Sequence, residues 1–224
     1  MAEQNLNLYF QDSRFEMTHV GRFFVRLVFY STYGLVIASC ATFLLSDIKW
    51  LFWLGVLLLL ILLDRAKHLA QANKALDEKM SGNINLADYI TPMSFVVLEY
   101  AYERALATGG NFYLFLLKRL VDKKNIREGL RRMDLDPEEV SNKIDDELNE
   151  SLKIDKYRGE KEAIKERLLG EIGKILKISF EKALLDDDGF IDPHDLFAAL
   201  SYCESDAVLK ILKFFNIDAG DLRH

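Results

Sequence analysis

Two long apolar runs near the N-terminus constrain this chain more than any other feature of its sequence. The first, residues 23–45, carries a single charge, Arg26, close to its start. As a helix it would be about 35 Å long, enough to cross a hydrocarbon core of about 30 Å. The second, residues 48–63, follows a short polar break. A soluble domain of this size could hardly cover both runs on all sides, so the pattern predicts a transmembrane helical hairpin at 23–63.

The alternatives to a membrane hairpin are a buried helical pair in a soluble core and a cleaved signal peptide. A signal peptide has one apolar region of about 7–15 residues before a cleavage site of small residues. This chain instead has two runs joined by a tight connection. No ionisable residue lies in the middle of either run, so nothing indicates a transport path or a proton relay. We therefore expect the hairpin to act as a membrane anchor.

The flanking charges predict the orientation of this anchor. Basic residues lie near or beyond both ends of the hairpin, at Arg14, Arg22, Arg26, Arg65, Lys67, Lys74 and Lys79. The connection between the runs contains only Lys49. The positive-inside rule then places both termini in the cytoplasm, with residues 1–22 as an N-terminal cytoplasmic segment.

The first dozen residues need separate treatment. Residues 7–11 resemble part of a protease-cleavage tag, but their flanks do not complete it. The sequence leaves a native and a tag-derived origin of residues 5–13 both open. We expect this segment to be disordered or to lie at the membrane interface.

The remainder of the chain has the pattern of an all-α protein. Residues 64–85 are rich in good helix formers and predict a helical stalk that ends at Ser81 and Gly82. Thr91 and Pro92 suit the N-cap and first position of a helix, and Gly109 suits its end. No segment shows a sustained period-two alternation with β-branched residues, so no strands are expected.

An internal repeat is the most informative feature of this region. The sequence YERAL at 102–106 matches FEKAL at 180–184, and Leu114–Phe115 matches Leu196–Phe197. Residues 125–140 then match residues 207–222. Two copies, about 86–150 and 165–224, could bury the apolar face that each leaves open. The charge-rich stretch 149–178 between them predicts a solvated helical connector.

The second copy resembles the duplicated repeat of the N-terminal domain of Clp unfoldases. The positions that match the repeat are Ile191, Pro193, Leu196, Ala199, Leu200, Ala207, Ile211, Leu212, Ile217 and Asp218. The resemblance spans residues 86–224 and is weaker in the first copy, where Asn111, Phe112 and Tyr113 replace the Thr-Glu-His of the family. His194 and Asp195 replace Glu-His in the second. The acidic residues with which the family can bind phosphorylated arginine are not matched, so that activity is not carried over.

The resemblance implies a fold and a function. The fold is a double helical repeat, and the function is non-catalytic binding of protein substrates or adaptors beside a Clp-type unfoldase and its protease components. The residues expected at the contact surfaces enter the second helix of each copy: Asn111, Phe112, Tyr113, Asp192, His194 and Asp195. The chain would then be the N-terminal part of a longer protein with ATPase modules to follow.

Other chemistry finds little support in the sequence. Gly170 to Lys174 lacks the first glycine of a phosphate loop, and no Ser-His-acid or Cys-His arrangement is apparent. The two cysteines, Cys40 and Cys203, predict small buried thiols. Residues 134–150 hold eight carboxylates against one lysine, which is unlike a nucleic-acid surface. We expect no enzyme activity, no cofactor and no nucleic-acid partner.

Calcium binding is the main alternative function that the sequence suggests. Asp186, Asp188, Asp192 and Asp195 have the spacing of the third, fifth, ninth and twelfth positions of an EF-hand loop. Leu184 stands at the first ligand position, however, and the last position is Asp rather than the bidentate Glu. The simpler interpretation is that Asp192 caps a helix beginning at Pro193. A calcium-responsive regulator with a degenerate loop at 184–195, or a membrane scaffold protein, remain the alternative functions.

Overall fold

The computed structural model describes residues 6–68, 71–76, 82–154, 161–186, 189–203 and 205–217, and these are mostly helical. The chain divides into two compact units. One, here the apolar unit, is Asp12–Gln71, and the other, the main unit, combines Met1–Gln11 with Ala72–His224. The segments on both sides of the apolar unit therefore belong to the same folded body.

The apolar unit consists of a short helix α1 (Ser13–Glu16) and two long helices, α2 (His19–Leu44) and α3 (Lys49–His68). Thr18 caps α2 because its hydroxyl accepts a hydrogen bond from the Gly21 N–H. The predicted polar break between the two runs separates α2 from α3. The two helices pack against each other, and the buried Cys40 thiol donates to the Gly55 carbonyl at 3.4 Å.

Among the described residues, one helix is long and apolar enough to cross a membrane by length and composition. It spans Val20–Leu44, and 6% of its most apolar window is buried. Most of the large hydrophobic side chains left exposed in the described part of the chain lie between Val20 and Leu63. The apolar unit thus leaves most of its large apolar side chains exposed instead of burying them in a core.

The main unit contains a small parallel sheet that the sequence does not predict. Strand β1 (Leu6–Tyr9) pairs with β2 (Gly82–Asn85), in a register that opposes Leu6 to Gly82 and Tyr9 to Asn85. Amide side chains reinforce the pairing, since Asn7 donates to Asn83 at 3.0 Å and Asn85 donates to the Gln11 carbonyl at 2.8 Å. The expectation of no strands, and of disorder in residues 6–9, was wrong. Asparagine alternates with apolar residues in both strands, but segments of four residues are too short to show a sustained pattern.

The helical stalk expected at 64–85 was also wrong for most of its described part. Helix α3 ends at His68, and residues 71–76 are not helical. The Lys74 N–H donates to the Asp88 carbonyl at 2.9 Å, and the Leu76 N–H donates to the Gly189 carbonyl at 2.8 Å. These tertiary hydrogen bonds outweigh the local helix propensity. The predicted stop at Ser81 lies outside the described residues.

Seven α-helices follow β2 and a 3-10 turn (Leu86–Tyr89) in the described part of the main unit. They are α4 (Pro92–Thr108), α5 (Phe112–Val121), α6 (Lys124–Arg132), α7 (Pro137–Ile154), α8 (Lys161–Leu185), α9 (Pro193–Leu200) and α10 (Asp206–Phe214). Thr91 caps α4 with Pro92 at its first position, and Gly109 ends it in the left-handed conformation, as predicted. Helix α4 packs on α5, α8 and α9, while α5 also packs on α7 and α10.

Helix α8 corrects the expectation of a solvated connector over 149–178. Its side chains Leu168, Ile172, Ile175 and Leu176 are fully buried. They recur at helical spacing, so α8 lays an apolar stripe into the core. The many lysines and glutamates between them lie on the other faces of α8, so the charge content of this segment does not reveal the buried stripe.

Candidate functional site

The first predicted contact loop connects α4 to α5. The Asn111 side chain accepts hydrogen bonds from the Tyr113 and Leu114 N–H groups at 2.9 and 3.2 Å, which makes Asn111 the N-cap of α5. Phe112 is fully buried in the core, and Tyr113 is half-buried. Of the three predicted residues, Tyr113 and Asn111 can therefore reach a partner, whereas Phe112 supports the loop from beneath.

The second predicted contact loop leads into α9. The Asp192 carboxylate accepts from the His194 N–H at 2.6 Å and the Asp195 N–H at 3.2 Å. The Asp195 carboxylate accepts in return from the Asp192 N–H at 2.7 Å, which completes a capping box. Asp195 is buried and His194 is exposed. In this loop His194 is the predicted residue that is free to meet a partner.

The two predicted loops lie at opposite ends of α4. Ile191 forms a parallel bridge with Ile90, just before α4 begins, and its carbonyl accepts from the Thr91 N–H at 3.0 Å. Asn111 instead follows Gly109, where α4 ends. A helix of 17 residues is about 25 Å long. The six predicted contact residues therefore form two separate surfaces rather than one site.

Two of the four carboxylates that the calcium alternative requires already have other hydrogen-bond partners. Asp192 and Asp195 are engaged with each other and with backbone N–H groups in the capping box. Asp186 is exposed, and Asp188 lies outside the described residues. Within the residues that the structure describes, no group of three or more His, Cys, Asp or Glu side chains could hold a metal ion. The simpler interpretation, that Asp192 caps the helix at Pro193, is confirmed.

The contribution of Asp192 and His194 to stability can be measured separately from a contribution to binding. Replacing Asp192 by Ala removes the acceptor of two N–H groups, and we expect it to lower the free energy of unfolding by about 1–2 kcal/mol. His194→Ala should change it by less than about 0.5 kcal/mol, because the side chain is exposed. Chemical denaturation of the two variants measures both. An equal loss of stability in the two variants would contradict the capping account.

Both cysteines are free and buried, as predicted. Burial raises the pKa of the Cys203 thiol to about 11, and the nearby Glu171 carboxylate adds to this shift. Since the thiolate is the reactive form, Cys203 has the environment of an inert structural thiol.

The sequence did not indicate the partly buried Glu171 carboxylate near Cys203. The Glu171 side chain is 14% exposed, and its Oε2 has no hydrogen-bond partner among the described residues. Burial raises the pKa of Glu171, although Arg167 at 3.3 Å opposes the shift. The charged form of Glu171 is thus destabilised by the fold.

This shift predicts how Glu171→Gln depends on pH. A raised pKa of Glu171 in the folded state means that the native state favours the protonated form. This preference for protonated Glu171 contributes stability in acid, and that stability is lost as the pH rises through the folded-state pKa. At pH 7 we therefore expect Glu171→Gln to be more stable than the wild type, by about 1 kcal/mol. The difference should vanish below about pH 4, where both side chains are neutral. Thermal unfolding at the two pH values tests this, and a less stable variant at pH 7 would contradict it.

A second surface missed by the sequence reasoning lies along α4. The Arg104 and Arg119 guanidinium groups lie 5.5 and 5.0 Å from the centre of the Tyr100 ring. Met93 and Val96, earlier on α4, are 55% and 49% exposed. The spacing of residues 96, 100 and 104 is visible in the sequence, but the contribution of Arg119 from α5 is not.

No protein-family model matches this chain, and no curated protein matches it.

Proposed function

We propose that the chain is a membrane-anchored, non-catalytic module that binds protein substrates or adaptors for a Clp-type unfoldase and protease system. In this proposal α2 and α3 form a transmembrane hairpin, and the main unit lies on the cytoplasmic side. The proposal has two parts, the anchor and the binding module, and different observations support each.

The pairing of β1 with β2 is the main observation in support of a transmembrane anchor. Strand β1 precedes the apolar unit and β2 follows it, yet their backbones are hydrogen-bonded in register. Hydrogen-bonded strands lie on one side of a membrane, so the chain between them crosses it an even number of times. A single crossing by α2 would separate the strands. This favours a hairpin in which α2 and α3 both cross.

Two observations weigh against the alternatives for α2, a cleaved signal peptide and a buried core helix. Cleavage of α2 as a signal peptide would detach β1 from its partner strand. A core helix would be covered by protein, whereas 6% of the most apolar window of α2 is buried. Lipid is the environment that suits the exposed apolar side chains of α2 and α3.

Paired positions in the two copies support the proposed Clp-like duplication. Leu114 and Phe115 are 0% and 8% exposed, and their counterparts Leu196 and Phe197 have the same values. A left-handed residue lies two positions after the last residue of both α6 and α10, Asp134 with φ 58° and Asn216 with φ 52°.

The turns that follow these two residues also correspond. The Leu135 N–H donates to the Leu130 carbonyl at 3.0 Å, and the Ile217 N–H donates to the Leu212 carbonyl at 2.9 Å. This is the six-to-one bond of a Schellman motif, at matched positions of both copies. The family resemblance and this shared turn together favour a binding module built as a double repeat.

Capture of partners from membranes tests the proposed function. The affinity-tagged full chain would be solubilised in mild detergent, and captured proteins would be quantified by mass spectrometry. We expect Clp-type unfoldase or protease components, or their adaptors, to be enriched. The pair Tyr113→Ala and His194→Ala should lose this enrichment, whereas the exposed Leu185→Ala should keep it.

Other outcomes would point to the alternative functions. Capture of no such component would contradict the proposal and would favour a scaffold role. A heat signal on titration of the full chain with calcium would favour the calcium-responsive regulator instead.

A further inference from the structure

Helix α4 presents a mixed apolar and basic stripe outside the two predicted contact loops. Met93, Val96, Tyr100 and Arg104 fall within about 80° of the helix circumference and extend over about 16 Å along its axis. Met93 and Val96 are 55% and 49% exposed, Tyr100 is half-buried, and Arg104 is exposed. Large apolar side chains on a folded surface beside cations are typical of an interaction face.

Two arginines are held on one aromatic ring in this stripe. Arg104 from α4 and Arg119 from α5 lie 5.5 and 5.0 Å from the centre of the Tyr100 ring. Such cation–π contacts orient guanidinium groups without neutralising them. The positions of the two charges are therefore set before any partner arrives.

The acidic neighbours leave these cations largely uncompensated. Arg119 approaches Asp122 at 3.6 Å, with both side chains substantially exposed, and such a pair is weak. Glu103 precedes Arg104 and is half-buried with other contacts, whereas Arg104 has no ion pair among the described residues. Burial and the nearby Arg119 cation lower the pKa of Lys123, one turn further along the chain. Positive charge is thus concentrated here on a chain of net charge −6.

We propose that this face, called here the α4 face and formed by Met93, Val96, Tyr100, Arg104, Arg119 and Lys123, docks onto the headgroup region of an anionic lipid bilayer. Met93 and Val96 enter between the headgroups, Tyr100 lies at their level, and the three cations bind lipid phosphates. The inference rests on the membrane anchor of the proposed function.

The chemistry of the α4 face favours lipid. Arginine and lysine beside exposed apolar side chains are typical of surfaces that lie in the membrane interface. Tyrosine is enriched at the headgroup level because its ring is apolar and its hydroxyl is polar. Each basic side chain near an anionic surface strengthens binding about fivefold, so three cations give about a hundredfold.

Residues 74–76 are held at one end of the main unit. Lys74 and Leu76 are hydrogen-bonded to Asp88 and Gly189. Ile191, two residues after Gly189, is bonded to Tyr89 and Thr91, where α4 begins. The chain that leaves the apolar unit is therefore fixed at the end of the main unit that carries Met93.

Fluorescence quenching in nanodiscs tests the proposal on the full chain. A fluorophore would be attached to Val96→Cys, or to Phe214→Cys as the control, in discs that contain a lipid with a nitroxide headgroup. Phe214 is 59% exposed and lies on α10, outside the α4 face. The native Cys40 and Cys203 are buried, so the introduced cysteine reacts first. We expect strong quenching at position 96 and little at position 214.

Lipid charge and two pairs of substitutions separate headgroup binding from general proximity. Quenching at position 96 should be stronger in discs with phosphatidylglycerol than in purely phosphatidylcholine discs. Arg104→Gln with Arg119→Gln should reduce the ratio of docked to undocked protein about twenty-five-fold. Arg131→Gln with Arg132→Gln, two exposed cations of α6, should leave it unchanged.

Three results would overturn the docking. The first is equal quenching at positions 96 and 214, and the second is quenching that ignores lipid charge and the Arg104 and Arg119 substitutions. The third is a label at position 96 that stays in water until a protein partner is added. Failure of the chain to enter discs at all would instead contradict the membrane anchor, so the two failures can be told apart.

Discussion

Phe180→Ala is expected to lower the free energy of unfolding of the main unit by about 3–5 kcal/mol. Phe180 lies on α8, is fully buried, and meets the Tyr89 ring edge-on with 6.2 Å between ring centres. Truncation to alanine removes the transfer free energy of the ring and leaves a cavity between α8 and the 3-10 turn. The loss is large because the site lies where the two proposed copies join.

Phe214→Ala provides the matched control for this substitution. Its ring is 59% exposed and contacts Phe215 and the Lys143 ammonium group. The same chemical change should therefore cost less than about 1 kcal/mol. Urea denaturation of the full chain, followed by circular dichroism, measures both. Equal losses in the two variants would show that α8 is not part of the core.

Gly55→Leu is expected to force α2 and α3 apart and to expose the Cys40 thiol. A Cβ atom at Gly55 would lie 2.8 Å from the Leu44 backbone nitrogen and 3.1 Å from the Phe43 carbonyl carbon. Backbone atoms cannot rotate away as a side chain can, so the helices must separate. Cys40 is 4% exposed at this contact and should react with maleimide at least about tenfold faster once the helices part.

Gly34→Leu is the control on the other side of α2, because nothing lies within 4 Å of a Cβ built there. We expect Cys40 to stay protected in that variant. Cys203 serves as an internal reference, since its buried thiol has a pKa of about 11. If both leucine variants label Cys40 at the wild-type rate, the close packing at Gly55 is wrong.

Local signals in the sequence predict many helix boundaries correctly. Thr91 with Pro92, Gly109, and Asp192 with Pro193 mark helix ends as expected, because capping depends on residues within one turn. The break between the two apolar runs likewise separates α2 from α3. These features need no knowledge of distant parts of the chain.

Features that depend on distant partners were missed. Strand β1 exists because Leu6–Tyr9 pairs with a segment more than seventy residues away, and its alternation of leucine and asparagine is too short to predict a strand by itself. The Leu76 N–H donates to the Gly189 carbonyl, and residues 71–76 do not continue the expected helical stalk. The candidate site follows the same rule. The caps at Asn111 and Asp192 were predictable, whereas their separation along α4 and the approach of Arg119 to Tyr100 required the fold.

The side of the membrane on which three positions lie tests the central claim most directly. Single cysteines at Asn7, Asn83 and Asp47 would be labelled in sealed vesicles with a maleimide that cannot cross the bilayer. Asn7 and Asn83 are paired in the sheet, while Asp47 lies between α2 and α3. The hairpin predicts that positions 7 and 83 label from one side and position 47 from the other. Labelling of all three from the same side would contradict it.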